Sequence, residues 1–300
     1  MNLRDYTTAN ILKKYEFTKY IRKLLHHLFY ATSAEASYLC SPKGKNPFAI
    51  VYPTDYSPTY KLYSMSETKK PVLVVSTGAG ISAESGVTTF RDAGGLWEQY
   101  PVMDVASADG FRRNPALIHR FYNERRAQLA TVRPNAAHLG LVELEKYFEV
   151  YVITQNVDDL HERAGSSHIL HLHGELTKVR SINHPERVYK LKDYTSQTDV
   201  NTRDEYGDPV RPHIVFFQEA VPMLEPAAEL VEKADVFVVI GTSLNVYPAA
   251  GLMNYVRPGV PIYYIDPRPA PVPRYVHVIA QPATKGVAEL TRILTADKNE

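Results

Sequence analysis

The sequence has a single cysteine, Cys40, among 300 residues. No disulfide can form within the chain, which excludes a disulfide-stapled scaffold and fits a reducing compartment. No run of about 18 apolar residues occurs, so nothing reads as a membrane span. Neither sign of charge dominates: 34 Lys/Arg against 33 Asp/Glu leave a net charge of +1, which argues against nucleic acid as the main partner. Neither a membrane nor nucleic acid is therefore expected, and a cytoplasmic setting is. Apolar residues make up 44% of the chain, an ordinary share for a soluble globular protein.

The charge is unevenly spread. Residues 1–64 hold nine Lys/Arg, four Asp/Glu and nine of the 21 tyrosines, a balance of +5, and the remainder carries −4. This break predicts a boundary near residue 65, between an N-terminal extension over 1–64 and the main domain over 65–300. Residues 9–31 can form a helix with Ile21, Leu24, Leu25 and Leu28 on one face. Residues 41–63, rich in Pro, Ser, Lys and Tyr, read as a linker. The extension is expected to be dispensable, with Met65 a candidate physiological start.

From Pro71 the pattern changes. Pro71–Ser76, Val150–Ile153, Val236–Ile240 and Ile262–Ile265 are short apolar runs, the signature of strands buried on both faces of a parallel sheet. Helical stretches at 115–130 and 136–147 lie between them. Alternating strands and helices predict a doubly wound α/β sheet, Rossmann-like in kind. Residues 178–212 break the alternation with polar residues and turn signals, and read as a small inserted module.

Four strand ends carry polar or glycine turns. Gly78-Ala79-Gly80-Ile81-Ser82-Ala83 follows the first strand and fits a phosphate-binding G-x-G-x-x-G/A turn; a plain tight turn is the alternative. Thr154-Gln155-Asn156-Val157-Asp158 follows the second, where ribose hydroxyls or an amide could be read, or where Asn156 or Asp158 could cap a helix. His171-Leu172-His173-Gly174 follows a strand at 168–171. It could be a metal pair, although no cysteine lies nearby, or hold a structural histidine. Gly241-Thr242-Ser243 ends a fourth strand. Four such turns, each at a strand end, describe one cleft.

Taken in order, Gly78–Ser82, Phe90-Arg91, Gln155–Asp158, His173-Gly174 and Gly241–Ser243 resemble the motifs of the sirtuin family, over roughly residues 70–295. Phe121-Tyr122-Asn123, Pro134–His138 and Asn245–Pro248 resemble its short bacterial members most. The resemblance implies an NAD-dependent lysine deacylase that transfers the acyl group of proteins' acyl-lysine side chains to ADP-ribose. It implies phosphate contacts at Gly78, Ala79, Gly80 and Ile81, and a loop over the nicotinamide ribose at Phe90 and Arg91. Asn156 and Asp158 would line the nicotinamide pocket, with Gln155 at the ribose. Gly241, Thr242, Ser243 and Asp266 would lie toward the adenosine, with Ala283 near the adenine. His173 would be the catalytic base, assisted by Asn156, because neutral imidazole accepts a proton near pH 7. His171 would be structural.

Val215, Phe217 and Glu219, with Asn245 and Val246, would sandwich the substrate peptide as an added strand. Ala106, Tyr122 and Arg125 would form the base of the acyl channel and accept succinyl and malonyl groups beside acetyl. The alternative for Arg125 is a solvated helix residue like its neighbour Arg126. Two departures from the family pattern stand out. The segment 178–212 lacks the four zinc cysteines many sirtuins carry, so no metal is expected and apolar and hydrogen-bonded contacts must hold it. The family's Phe-Gly-Glu reads Phe217-Gln218-Glu219. Mono-ADP-ribosyl transfer and non-catalytic NAD sensing would use the same cleft; an intact His173 favours deacylation.

Overall fold

A computed structural model describes residues 69–89 and 100–296. The expected helix over 9–31, the linker, the boundary at 65 and the loop residues Phe90 and Arg91 lie outside the described residues. In chain order the strands are β1 (Val72–Thr77), β2 (Glu149–Thr154), β3 (Ile169–His171), β4 (Gly174–Ser181), β5 (Val188–Lys190), β6 (Val210–Ile214), β7 (Val236–Ile240), β8 (Ile262–Ile265) and β9 (Val276–Ile279). The helices are α1 (Gly80–Ala83), α2 (Val102–Val105), α3 (Ala108–Arg113), α4 (Pro115–Leu129), α5 (Ala136–Leu144), α6 (Leu160–Ala164), α7 (Leu224–Glu232) and α8 (Ala283–Thr295), with a 3-10 helix at Ala249–Tyr255.

Six strands form one parallel sheet in the order β3-β2-β1-β7-β8-β9. The apolar run of β1 divides by parity, as the pleat requires. Leu73 and Val75 pack with Ala137 and Leu141 of α5 and Val287 and Leu290 of α8. Val74 faces the other way, toward Val231 of α7 and Leu252 of the 3-10 helix. β7 divides in the same manner, Val238 and Ile240 on one face and Phe237 and Val239 on the other. Both faces are covered, hence the lack of polar alternation in these strands. The chain builds outward from β1 through β2 to β3, then crosses back to β7 and builds outward through β8 to β9. The reversal places a crevice beyond the carboxyl ends of β1 and β7.

A third cluster joins Ile118, Phe121 and Tyr122 of α4 to Leu176 of β4, Ile214 of β6 and Phe216. α4 starts at Asn114, whose side chain accepts from Leu117 N at 3.0 Å, with Pro115 in the first turn. Arg126, taken in the sequence as solvated, is instead 1% exposed. Its guanidinium donates to the carbonyls of Leu176 (3.2 Å) and Ser196 (2.7 Å), tying α4 to the smaller sheet. Helical periodicity cannot distinguish a buried arginine whose donors all meet carbonyls from a solvated one.

β5-β4-β6 form a separate antiparallel sheet, and the expected insert runs from within β4 through β5 into β6. The donors there do not fit a thiolate zinc site, since Cys40 is the only cysteine. Ion pairs join the two turns instead, beyond the expected apolar and hydrogen-bonded contacts. Arg187 pairs with Asp208 and lies 3.5 Å from Asp204, and Asn183 donates to Asp208 at 2.6 Å. The planar guanidinium offers five donors, so one side chain can engage carboxylates from one turn while stacking 4.6 Å over the Tyr206 ring.

Candidate active site

A cleft of about 570 Å³ occupies the crevice beyond β1 and β7. Its floor is two turns packed back to back. A Cβ on Gly78 would lie 2.7 Å from the Gly241 carbonyl oxygen, and one on Gly80 would lie 2.6 Å from Gly241 Cα. Gly241 itself adopts φ +63, a left-handed conformation suited to glycine. The glycines are therefore required by turn-on-turn packing, whatever approaches from the cleft. The N–H groups of Gly78 and Gly80 are spent inside the protein, on Ile240 O (2.9 Å) and Gly241 O (2.8 Å). Ile81 is fully buried in the core and does not line the cleft, a correction to its expected contact.

The Gln155–Asp158 turn divides by depth. Gln155, Asn156 and Val157 line the cleft, whereas Asp158 is buried and does not. Asn156 Nδ2 donates to Gly78 O (3.1 Å) and Ser82 Oγ (3.2 Å), and Ser82 donates to Asp158 (3.0 Å). Burial raises the Asp158 carboxyl above its ordinary pKa, against the bonds from Leu160 N and Ser82. Ser82 thus joins the two residues, although only the Asn156 and Asp158 side chains drew notice in the sequence. Beneath, Thr77 donates to Thr154 (2.9 Å) and meets His161 Nε2 (3.1 Å).

His173 lines the cleft, and its Nδ1 lies 3.0 Å from Gln155 O. A carbonyl only accepts, so Nδ1 carries the proton and Nε2 keeps its lone pair. Burial pushes its pKa below the usual histidine value, more than the Gln155 bond restores. The ring is a neutral base with its tautomer set. His171 bonds Asn156 O through Nδ1 (3.1 Å) and Glu162 through Nε2 (2.6 Å). Burial opposes its charge, but Glu162 and Glu175 raise its pKa above the ordinary value. Glu162, His171 and Glu175 come close enough to share a cation, but Lys178 already donates to Glu175 at 2.6 Å.

On the opposite wall, Ala106, Tyr122, Val215, Phe217, Glu219 and Val246 line the cleft, whereas Asn245 and Arg125 do not. Arg125 donates to Thr88 O at 3.4 Å from a half-buried position. Burial raises the Tyr122 phenol pKa strongly, so it stays a proton donor. The Glu219 carboxylate accepts from Arg211 (2.5 and 3.2 Å), Arg180 (3.2 Å) and Phe216 N (2.9 Å). Its acceptors are committed within the protein, so the carboxylate is a structural counter-ion, and the added-strand contact expected of this segment would fall to its backbone. Thr242, Ser243, Asp266 and Ala283 also line the cleft. Tyr264, unnoticed in the sequence because it reads as one more core aromatic, donates to Thr242 O at 2.8 Å and so holds that turn.

A doubly wound sheet whose switch-point cleft has a glycine floor and a neutral histidine defines a Rossmann-like nucleotide-binding protein. The model for the Sir2 family matches residues 78–248. An NAD-dependent protein deacylase of Bacteroides thetaiotaomicron is 57% identical over 227 residues, 74% of this chain and 97% of the relative. A Helicobacter pylori protein of the same description is 52% identical, over 73% of this chain and 95% of its own length. Among solved structures, a Sir2 homologue–NAD complex is 36% identical with TM-score 0.68, covering 76% of this chain and 91% of its own. A Sir2 protein bound to acetylated peptide is 31% identical with TM-score 0.63, covering 77% and 94%. The chain belongs to the Sir2 family.

Proposed function

We propose that the chain is an NAD-dependent protein-lysine deacylase in which His173 accepts the proton during acyl transfer. The observation that carries this reading is the His173 ring: neutral, with Nδ1–H committed to Gln155 O and Nε2 left basic in the cleft. The described residues fit a dinucleotide. The cleft crosses the switch point, its floor turns carry no bulky side chain, and Asp266 at the end of β8 is of the acidic type that meets ribose hydroxyls. NAD, when bound, supplies the ADP-ribose that takes the acyl group and releases nicotinamide. Gly78, Ala79 and Gly80 would face its phosphates, and Ser243, Asp266 and Ala283 its adenosine side. Asn156 would orient the nicotinamide, held by its bonds to Gly78 O and Ser82. Asp158 would act from behind by holding Ser82.

The peptide would lie between Val215–Phe217 and Val246. The acyl chain would pass Ala106 toward Tyr122, whose phenol remains a donor. Arg125 lies one turn further on the same helix, and its 3.4 Å contact with Thr88 O is long enough to yield to a better acceptor. These features support removal of succinyl and malonyl groups as well as acetyl. No described helix is long and apolar enough to cross a membrane, and the lone cysteine supports a cytoplasmic site of action. The test is incubation with NAD and acetyl- or succinyl-lysine peptides, with mass detection of O-acyl-ADP-ribose. His173→Ala should abolish the product and leave NAD binding largely intact. Near wild-type turnover in that variant would remove His173 from the role.

A further inference from the structure

Gln218 has φ +74, a left-handed conformation that a residue with a side chain adopts only at a cost. It is also exposed, so core packing does not explain its side chain. The amide has a specific use. Its Oε1 accepts from Asp109 N at 3.1 Å and its Nε2 donates to Asp109 Oδ2 at 2.7 Å. Asparagine could not span the gap, and glycine would leave both Asp109 groups to water.

The clasp continues a short backbone ladder. Phe217 N donates to Ala106 O at 2.8 Å and Ala108 N donates to Phe217 O at 3.1 Å, with Ser107 and Phe217 bridged in parallel. Ala106 and Phe217 both line the cleft. The strap therefore joins the wall beside the acyl channel to the loop beside the peptide. Phe217 remains 40% exposed on that wall, so substrate gains from finding it already in place.

We infer that Gln218 is a positioning residue for the acylated peptide, latching the 217–219 loop to Asp109 so that both walls of the substrate groove are preformed. The inference rests on the reading of this loop as the acyl-peptide site. Removing the latch adds a loop-ordering cost to peptide binding and leaves the NAD side untouched, so the effect falls on the peptide KM and not on kcat.

The test is a complementary exchange. Gln218→Glu sets two carboxylates against each other, and should raise the KM for an acetyl-lysine peptide roughly tenfold at saturating NAD, with kcat and NAD affinity within about twofold. Asp109→Asn combined with Gln218→Glu restores an amide–carboxylate pair, and should bring KM back to within about threefold of wild type. Gln218→Gly relieves the backbone but deletes the clasp, and should resemble Gln218→Glu. An unchanged KM in Gln218→Glu or Gln218→Gly, or a double variant no better than Gln218→Glu, overturns the latch. Amide exchange at Phe217 reads the same latch without substrate: faster in Gln218→Glu and restored in the double variant. Wild-type protein that turns over no acyl peptide, yet shows this exchange pattern, would overturn the deacylase reading and spare the latch.

Discussion

Replacing Glu219 by glutamine separates two roles for this residue: substrate ligand and structural counter-ion. Its carboxylate meets Arg211, Arg180 and the Phe216 N–H, and Arg211 lies 3.8 Å over the Phe216 ring. The three side chains are 22%, 10% and 14% exposed for Glu219, Arg211 and Arg180. Breaking a fully buried pair costs about 3–5 kcal/mol. Partial exposure and the acceptor that glutamine retains reduce this to about 2–3 kcal/mol. For a domain of this size that is a Tm decrease of roughly 5–10 °C, readable by calorimetry or circular dichroism. Burial alone would raise the Glu219 pKa, but the arginines and Phe216 N–H hold it below the ordinary carboxylate value of 4.5. The carboxylate's contribution is therefore complete above that pH and is lost as pH falls through the lowered folded value. The gap between wild type and variant should narrow on the acid side of pH 4.5. A variant with unchanged Tm but a raised peptide KM would show that the carboxylate serves substrate, and the structural reasoning would fail.

Other perturbations probe other parts of the molecule. Arg125→Met should cut desuccinylation ten- to a hundredfold more than deacetylation, since a charge-assisted bond contributes about 1.5–3 kcal/mol; equal losses on both peptides would exclude carboxylate reading by Arg125. His138 is fully buried beside His161, and burial pushes its pKa down to about 4. The unfolded chain then binds more protons between pH 4 and 6.5, so stability is complete above the upper limit and falls with acidification. Urea unfolding at pH 5 should give a stability about 2 kcal/mol lower than at pH 7 from this group alone, and equal values would show that His138 is not held neutral. Arg187→Met should loosen the small sheet, with limited proteolysis cutting first between 183 and 208; an unchanged digestion pattern would mean that its ion pairs with Asp204 and Asp208 do not close the insert.

The sequence by itself determined the sheet, its strands and the order of the site motifs. Continuous apolar runs such as Val72–Val75 have few alternatives to a doubly covered strand, and turns at successive strand ends must share one edge of a parallel sheet. The His171–His173 pair was legible as titratable groups at a strand end, but only the sirtuin resemblance singled out His173 as the base. The small insert was visible only as an interruption, because its closure by Arg187 joins residues more than a dozen positions apart. The tertiary structure alone decided depth and partnership. Ile81 and Asp158 stand in motifs that otherwise face the cleft, yet both are buried behind it. Arg126 and Arg125 are neighbours in one helix, but only the first spends its guanidinium on carbonyls of β4 and of the loop between β5 and β6. Gly78 and Gly80 owe their lack of side chains to the Gly241 turn, more than 160 residues away. Glu219 owes its committed carboxylate to Arg180 and Arg211. Periodicity reports which face of an element is apolar, but a buried polar group is satisfied by whatever the fold brings to it, and that partner is specified only when distant segments meet.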